Sequence, residues 1–427
     1  MTPDRQHPPR MKDAVDLTLE LKPYRSFTLD NGIPVYAVDA GAEEVMSLEI
    51  VFQAGNWYEP ANGIANAVNS LLKNGTPKHN AFEINEHFEY FGAYLNRNCY
   101  NETSTVTLHC LTKHLPELLP VMQELITESV FPEQELDIYR QNMKQRLEVN
   151  LRKCEFIAGR LIDEYLFGFD HPYGIYSSAE MYDALDRGDL KSFHERYYVN
   201  GQAMIFVAGI LPADLEASLN RIFGQLPLNR TPLPTILHPV KPTLEKKHFI
   251  LNDPDGVQGA IRLARPFPNR HHPDYKPAMV LNTLFGGYFG SRLMDNIREE
   301  KGYTYGIYSH IQNHIGQTAW MVSTEAGREV CEATIREIHH EMKRLREDEI
   351  PDDELMMVRN YLMGTILGDL DGPFQIIGRW KNLILNGLDS QFFYDTLKTI
   401  REITPQELNA LADKYLREED FYELTVV

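Results

Sequence analysis

In "GIANAVNSLLKNGT" (63–76) the apolar residues Ala65, Val68, Leu71 and Leu72 fall at helical spacing between two glycines. The pattern predicts a helix entered at Gly63 and stopped at Gly75. Ahead of it, "RSFTLDNGIPVYAVDAG" places two apolar runs around Asn31-Gly32, a strong hairpin signal, and "VMSLEIVFQAG" reads as a further strand. A second helix is predicted over 80–91, then a hairpin-like pair within "AYLNRNCYNETSTVTLHCL". A long helical stretch follows from "HLPELLPVMQELITESV".

The same order recurs later in the chain. "AIRLARPF" reads as a strand, "KPAMVLNTLFGG" and "GSRLMDNIREEKG" as helices, "TYGIYSHIQ" and "TAWMVSTEA" as strands, and a long helix follows. In both halves the long helical stretch is broken near a proline and resumes at paired acids and Leu, "EQEL" and "DDEL". Between the halves, 225–246 carries five prolines and little periodicity, as an extended linker does. Four segments are predicted: an N-terminal extension (1–24), a first half (25–228), a proline-rich linker (229–246) and a second half (247–427). Runs of strands and runs of helices, without strict alternation, indicate an α+β fold. Two tandem homologous halves are expected, each an antiparallel sheet packed with helices, facing each other across a crevice.

A chain of 427 residues exceeds what one core usually serves, and 43% apolar with 24% charged residues describes an ordinary globular protein. The net charge of −19 argues against nucleic-acid backbones and anionic membranes as partners and favours basic or neutral ones. Cys99, Cys110, Cys154 and Cys331 form no CxxC pair and read as reduced thiols. The first twenty residues lack the apolar core of a signal peptide, and no run is long enough for a membrane span, so a cytoplasmic location is expected. His310 and His314, and the pairs His271-His272 and His339-His340, are not spaced for chelation on the elements predicted around them and are expected at the surface.

Within the first predicted helix, Asn66, Asn69 and Ser70 form a polar line, though none is a strong helix former. By themselves they describe a solvated helix rim. Separated motifs give them another meaning: "GNWYEPANGIANAVNSLLKNGT", "DHPYG" (170–174), "GILPADLEASLNRIFGQLP" and "LFGGYFGSRLMDNIREEKGYTYGIYS". From Arg25 onward the layout resembles the M16 metallopeptidases, the group of pitrilysin, insulin-degrading enzyme and mitochondrial processing peptidase. Active members carry His-x-x-Glu-His on this helix. Histidines four apart reach one zinc ion, and the Glu between them takes a proton from the zinc-bound water. The resemblance puts Asn66 at the first His, Asn69 at the Glu and Ser70 at the second His. Amide and hydroxyl oxygens do not replace imidazole for zinc, and an amide is no base. For the distal Glu ligand, Glu148 is the nearest carboxylate, with Lys144 and Gln145 close by.

The resemblance implies that this chain holds no zinc and does not hydrolyse peptides alone. Active members also use an Arg and a Tyr seven residues apart to hold substrate and stabilise the oxyanion, and Arg298 and Tyr305 match that pair. The same residues also admit a plainer reading, with Arg298 capping a helix or pairing with Glu299 or Asp295, and Tyr305 in a strand core. In heterodimeric members one subunit bears zinc and the other has lost it, and this sequence resembles the latter. The expected partners are a zinc-bearing M16 homologue, or a second copy of this chain, and a peptide. The glycines of "LFGGYFGSR" and "LGDLDGPFQIIG" would then flank the substrate chamber. The alternatives are a non-enzymatic scaffold and a peptide-binding homodimer.

Overall fold

The computed structural model describes residues 12–427; the first eleven residues of the predicted N-terminal extension lie outside the described residues. Two mostly antiparallel sheets, of six and five strands, are combined with helices, as the α+β reading expects. The chain forms two compact units. One comprises 22–264, 372–382 and 422–427. The other comprises 265–371 and 383–421, with the described N-terminal residues up to Leu21.

The unit beginning at Lys22 contains β1 (Arg25–Thr28), β2 (Pro34–Asp39), β3 (Val45–Phe52), β4 (Tyr94–Cys99), β5 (Ser104–Leu111) and β6 (Ala203–Gly209). Their order is β1-β2-β6-β3-β5-β4, with only β2 and β6 parallel. Asn31-Gly32 turns the β1–β2 hairpin as predicted, with Gly32 at φ +93°. β3 and β6 are central and buried along most of their length, which explains why their sequences are near-continuous apolar runs.

Eight helices follow in this unit: α1 (Ile64–Leu71), α2 (Ala81–Tyr90), α3 (Leu115–Glu128), α4 (Glu133–Leu151), α5 (Cys154–Phe167), α6 (Ala179–Asp183), α7 (Arg187–His194) and α8 (Leu215–Phe223). α1 buries Ile64, Ala65, Val68 and Leu71 in the same core as Leu48, Ile50 and Val106 of the sheet. Its entry at Gly63 has φ +91°, and a Cβ there would lie 2.8 Å from Met181 Cε. Glycine meets both demands.

No helix or strand lies between Phe223 and Lys247. This proline-rich segment is nonetheless tied down. The Lys241 and Thr243 amides donate to the Phe167 and Tyr165 carbonyls at 2.9 and 3.0 Å, and the Trp57 indole donates to the Ile236 carbonyl at 3.2 Å. β7 (Lys247–Ile250) then runs parallel to β11 (Tyr422–Val426), which is antiparallel to β8 (Gln258–Phe267).

The other unit contains α9 (Tyr275–Asn282), a hairpin of β9 (Thr304–Asn313) and β10 (Thr318–Gly327), α10 (Cys331–Glu347) and α11 (Asp352–Gly368). α12 (Pro373–Leu385) begins among the residues of the first unit; α13 (Ser390–Glu402) and α14 (Pro405–Tyr415) follow. The helix expected over "GSRLMDNIREEKG" is wound as a π-turn, Met294–Glu300, with the Lys301 amide bonded to the Asn296 carbonyl at 3.1 Å. Seven residues are too few for apolar spacing to separate this winding from an α-turn. Gly286 just before it is packed closely, since a Cβ there would meet Ser309 and Leu293 at 2.7–2.8 Å.

Gly63→Ala is expected to lower the unfolding free energy by about 1–2 kcal/mol, from the left-handed backbone alone. A urea melt with an unchanged midpoint would contradict this account of how α1 begins.

Candidate functional site

α1 is only eight residues long and starts on a glycine with no side chain to cap it. Glu59 supplies the cap. Its Oε1 accepts from the Gly63 amide at 3.1 Å and its Oε2 from the Ala65 amide at 2.9 Å. Burial nevertheless lifts this carboxyl to about 7, against the pull of the Ala65, Gly63 and Ile64 N–H groups.

The three polar positions of α1 differ in their surroundings. Asn69 is 2% exposed, and its amide donates to the Thr105 carbonyl at 3.2 Å and the Tyr198 hydroxyl at 3.1 Å. It pins the helix to β5. Asn66 is exposed and half-buried Ser70 donates to its Oδ1 at 3.1 Å. At the end of the helix Arg97, from β4, donates through Nη1 to the Ser70 carbonyl. Its guanidinium is largely withdrawn from solvent, which depresses its pKa while the Tyr198 and Tyr94 phenols oppose that. A cation here answers the negative end of a helix.

A cavity of about 270 Å³ adjoins Asn66; Asn56, Glu59, Cys99, Tyr139 and Tyr182 help to line it. From α4 it is Tyr139 that reaches this cavity. Burial pushes its phenol pKa up, with Tyr182 adding to the effect and the Ser70 hydroxyl opposing it. Glu148 lies elsewhere. It is 72% exposed, pairs with Arg152 at 3.3 Å and lines a separate cavity of about 740 Å³ with Lys144 and Gln145.

These residues do not fit a zinc ion. Asn66 and Ser70 are bonded to each other, Asn69 is spent on the core, and Arg97 brings a positive charge to the helix end. Burial holds the Cys99 thiol up at about 12, so it offers no thiolate. Among the described residues no group of three or more His, Cys, Asp or Glu side chains is placed to hold a metal. The histidine pairs are otherwise engaged: His271 with the Asn386 carbonyl at 2.9 Å, and His339 with Glu418 at 3.3 Å.

In the other unit Arg298 and Tyr305 are neighbours. Arg298 Nε donates to the Tyr305 carbonyl at 2.8 Å, and Nη1 pairs with Glu299. Its guanidinium lies over the Phe289 ring (4.7 Å) and the Tyr305 ring (5.7 Å). Tyr305 is 94% exposed, so it is no core residue, and Phe289 beside it is exposed too. The loop that carries Phe289 is anchored on either side: Tyr288 packs against Tyr361 at 4.9 Å, and Arg292 forms a bidentate pair with Glu354, both bonds 2.8 Å.

Sequence reasoning missed Glu59, Arg97, Tyr139 and Phe289. Glu59 had a signal, an acid four residues before a glycine that opens a helix. Arg97 and Tyr139 had none, because only the packing of β4 and α4 beside α1 brings them there.

Family models match over most of the chain: "Insulinase (Peptidase family M16)" over 35–164 and "Peptidase M16 inactive domain" over 184–362. The chain belongs to the M16 peptidase family. A Mycobacterium tuberculosis protein called an uncharacterized zinc protease is 25% identical, covering 95% of this chain and 93% of its own. YmxG of Bacillus subtilis, named likewise, is 21% identical over 94% and 98%. The crystal structure of a peptidase M16 inactive domain from Pseudomonas fluorescens superposes with a TM-score of 0.85 at 23% identity, covering 94% of this chain and 98% of that one. A protease from Helicobacter pylori gives 0.82 at 18%, over 95% and 99%. Among the described residues no helix is long and apolar enough to cross a membrane.

The Glu59 shift has a sign. A carboxyl raised from 4.5 to about 7 on folding stabilises the fold at low pH and loses that contribution as pH rises through about 7. His194 acts oppositely in acid, because burial holds its imidazole down at about 4, but it is common to wild type and variant. Between about pH 5 and about pH 8 the wild type is therefore expected to lose on the order of 1–3 kcal/mol relative to Glu59→Gln. A wild-type-minus-variant difference in unfolding free energy that is flat with pH would refute this.

Proposed function

We propose that this chain is the zinc-free subunit of a two-chain M16 peptidase. It binds and orients peptide for a partner homologue that supplies the zinc and the general base. The observation that carries the reading is the state of α1. At the three family positions Asn66 and Ser70 are bonded to each other and Asn69 is bonded into the core, so the helix has become a structural element. In the same chain Arg298 and Tyr305 stay together with an exposed phenol. Clustered exposed rings mark an interaction surface more often than a structural one.

In this reading Arg298 and Tyr305 hydrogen-bond the peptide backbone and stabilise developing negative charge on the scissile carbonyl. Glu299 and the two rings hold the guanidinium in place, so little ordering remains to be done when the peptide arrives. The chain's charge of −19 suits basic or neutral peptides.

The test is co-expression with a homologue carrying an intact His-x-x-Glu-His, with zinc content and peptide cleavage measured for each chain and the mixture. Only the mixture is expected to cut, with zinc bound to the partner. Arg298→Ala is expected to lower kcat/KM by about 100-fold or more, the scale of a lost oxyanion donor, while the complex still forms. Stoichiometric zinc and cleavage by this chain alone would overturn the proposal. Full activity of the Arg298→Ala complex would reduce the chain to a scaffold.

A further inference from the structure

One edge of the five-stranded sheet is left open. β7 is its terminal strand and pairs only with β11. The Lys246 and Ile250 carbonyls accept from the Glu423 and Val427 amides at 2.6 and 2.9 Å, so the even-numbered residues of β7 bond toward β11. The two-residue period of a strand turns the N–H and C=O groups of Lys247, Phe249 and Leu251 to the open side. Their side chains are exposed as well, Phe249 by 67% and Leu251 by 54%.

Sheet edges are commonly guarded by a charge within the strand. Here an aromatic ring holds the centre of the edge and the charges stand at its ends. Lys246 and Lys247 precede Phe249, with Glu245 just before them, and Asp253 and Asp255 follow Leu251. A strand that runs from basic to acidic is complementary to an antiparallel copy of itself. Centred on Phe249, such a pair sets that ring against its counterpart and Lys247 against Leu251. It also brings the two lysines of each copy toward the two aspartates of the other. Because the Phe249 N–H and C=O face outward, the central pair is a hydrogen-bonded one. A parallel copy would set like charges together, and a wholly acidic or wholly basic segment would match only one end.

We propose that β7 is a self-association edge, at which two copies of this chain join by antiparallel pairing about Phe249. The two five-stranded sheets then form one continuous sheet across a two-fold axis. Cross-strand contact of the Phe249 rings and the opposed charges set the register. The inference does not rest on the function proposed above.

The test is sedimentation equilibrium of the full chain from about 1 to about 100 μM, where a dimer is expected. Phe249→Asp sets two carboxylates face to face and is expected to raise the dissociation constant at least about tenfold. Asp253→Lys is expected to raise it roughly threefold. Lys247 is left in place because it also pairs with Glu423 of its own chain at 2.7 Å. Leu237→Asp, at an exposed leucine outside the strand, is expected to change nothing. All three positions are exposed, and unchanged melting temperatures check that the variants fold. Phe249→Cys is expected to give a disulfide-linked dimer under mild oxidation, since residues of a hydrogen-bonded pair stand about 5.5 Å apart. Val257→Cys, beyond the paired segment, is expected to give none, and neither is the wild type, whose cysteines are buried or half-buried. A monomer throughout the range, a dimer indifferent to Phe249→Asp, or a cross-link at Val257 in place of Phe249 would overturn the proposal. A monomeric wild type whose assembly with a zinc-bearing homologue is blocked by Phe249→Asp would assign the edge to that partner and remove self-association.

Discussion

An eight-residue helix cannot hold itself in water, and everything at the candidate site depends on how α1 is held. Three side chains do the work: Glu59 caps the first turn, Arg97 the last, and Asn69, within the helix, bonds to the sheet and to Tyr198. The apolar face would bury against many neighbours in several rotations. The Asn69 amide fixes one, because its two bonds to a β5 carbonyl and a buried phenol exist in only that orientation. The polar residue in the core is what makes the helix specific.

This bears on whether α1 has room for a metal. Zinc ligands on a helix must face a common point and carry lone pairs held free for the ion. Here the polar residues of α1 are turned to internal bonding: Ser70 bonds back four residues to Asn66, and Asn69 points into protein. Placing a metal-binding side chain at Asn69 would therefore remove structural bonds before it supplied a donor. The Arg298 cluster is arranged differently. Its guanidinium is positioned by Glu299, a carbonyl and two rings, and Tyr305 extends beyond that support into solvent.

Much of the fold was legible because its signals are local. The Asn31-Gly32 hairpin, the apolar runs of β3 and β6, the Gly63 entry to α1 and the paired breaks ahead of α4 and α11 all rest on neighbouring residues. The lack of regular structure over 225–246 agrees with its prolines, whereas the anchoring of this segment to Phe167, Tyr165 and Trp57 was not legible, because those contacts join residues far apart in sequence. At the site, the Arg298–Tyr305 spacing was readable, whereas the polar residues of α1 do not share one setting, since Asn69 is buried and Asn66 exposed. The cavity was not. Asn56, Tyr139 and Tyr182 come from a short 3-10 turn and two helices, and nothing short of the fold puts them around one space.

The return of residues 372–382 to the unit begun at Lys22 has a consequence for how the protein is made. In that segment Trp380 donates to the Lys22 carbonyl at 2.8 Å and packs edge-on against Tyr24, while Lys381 pairs with Glu49 on β3. Residues 422–426 then add β11 to β7 and β8 of the same unit. On the ribosome the six-stranded sheet can be fully translated while its last covering helix and a neighbouring strand are still unsynthesised. The unit whose sheet is translated first is finished last. Until then Glu49 lacks its cation and β8 an antiparallel neighbour, so the nascent chain leaves the tunnel with an uncovered sheet face and an open strand edge, the surfaces that chaperones bind and aggregation exploits.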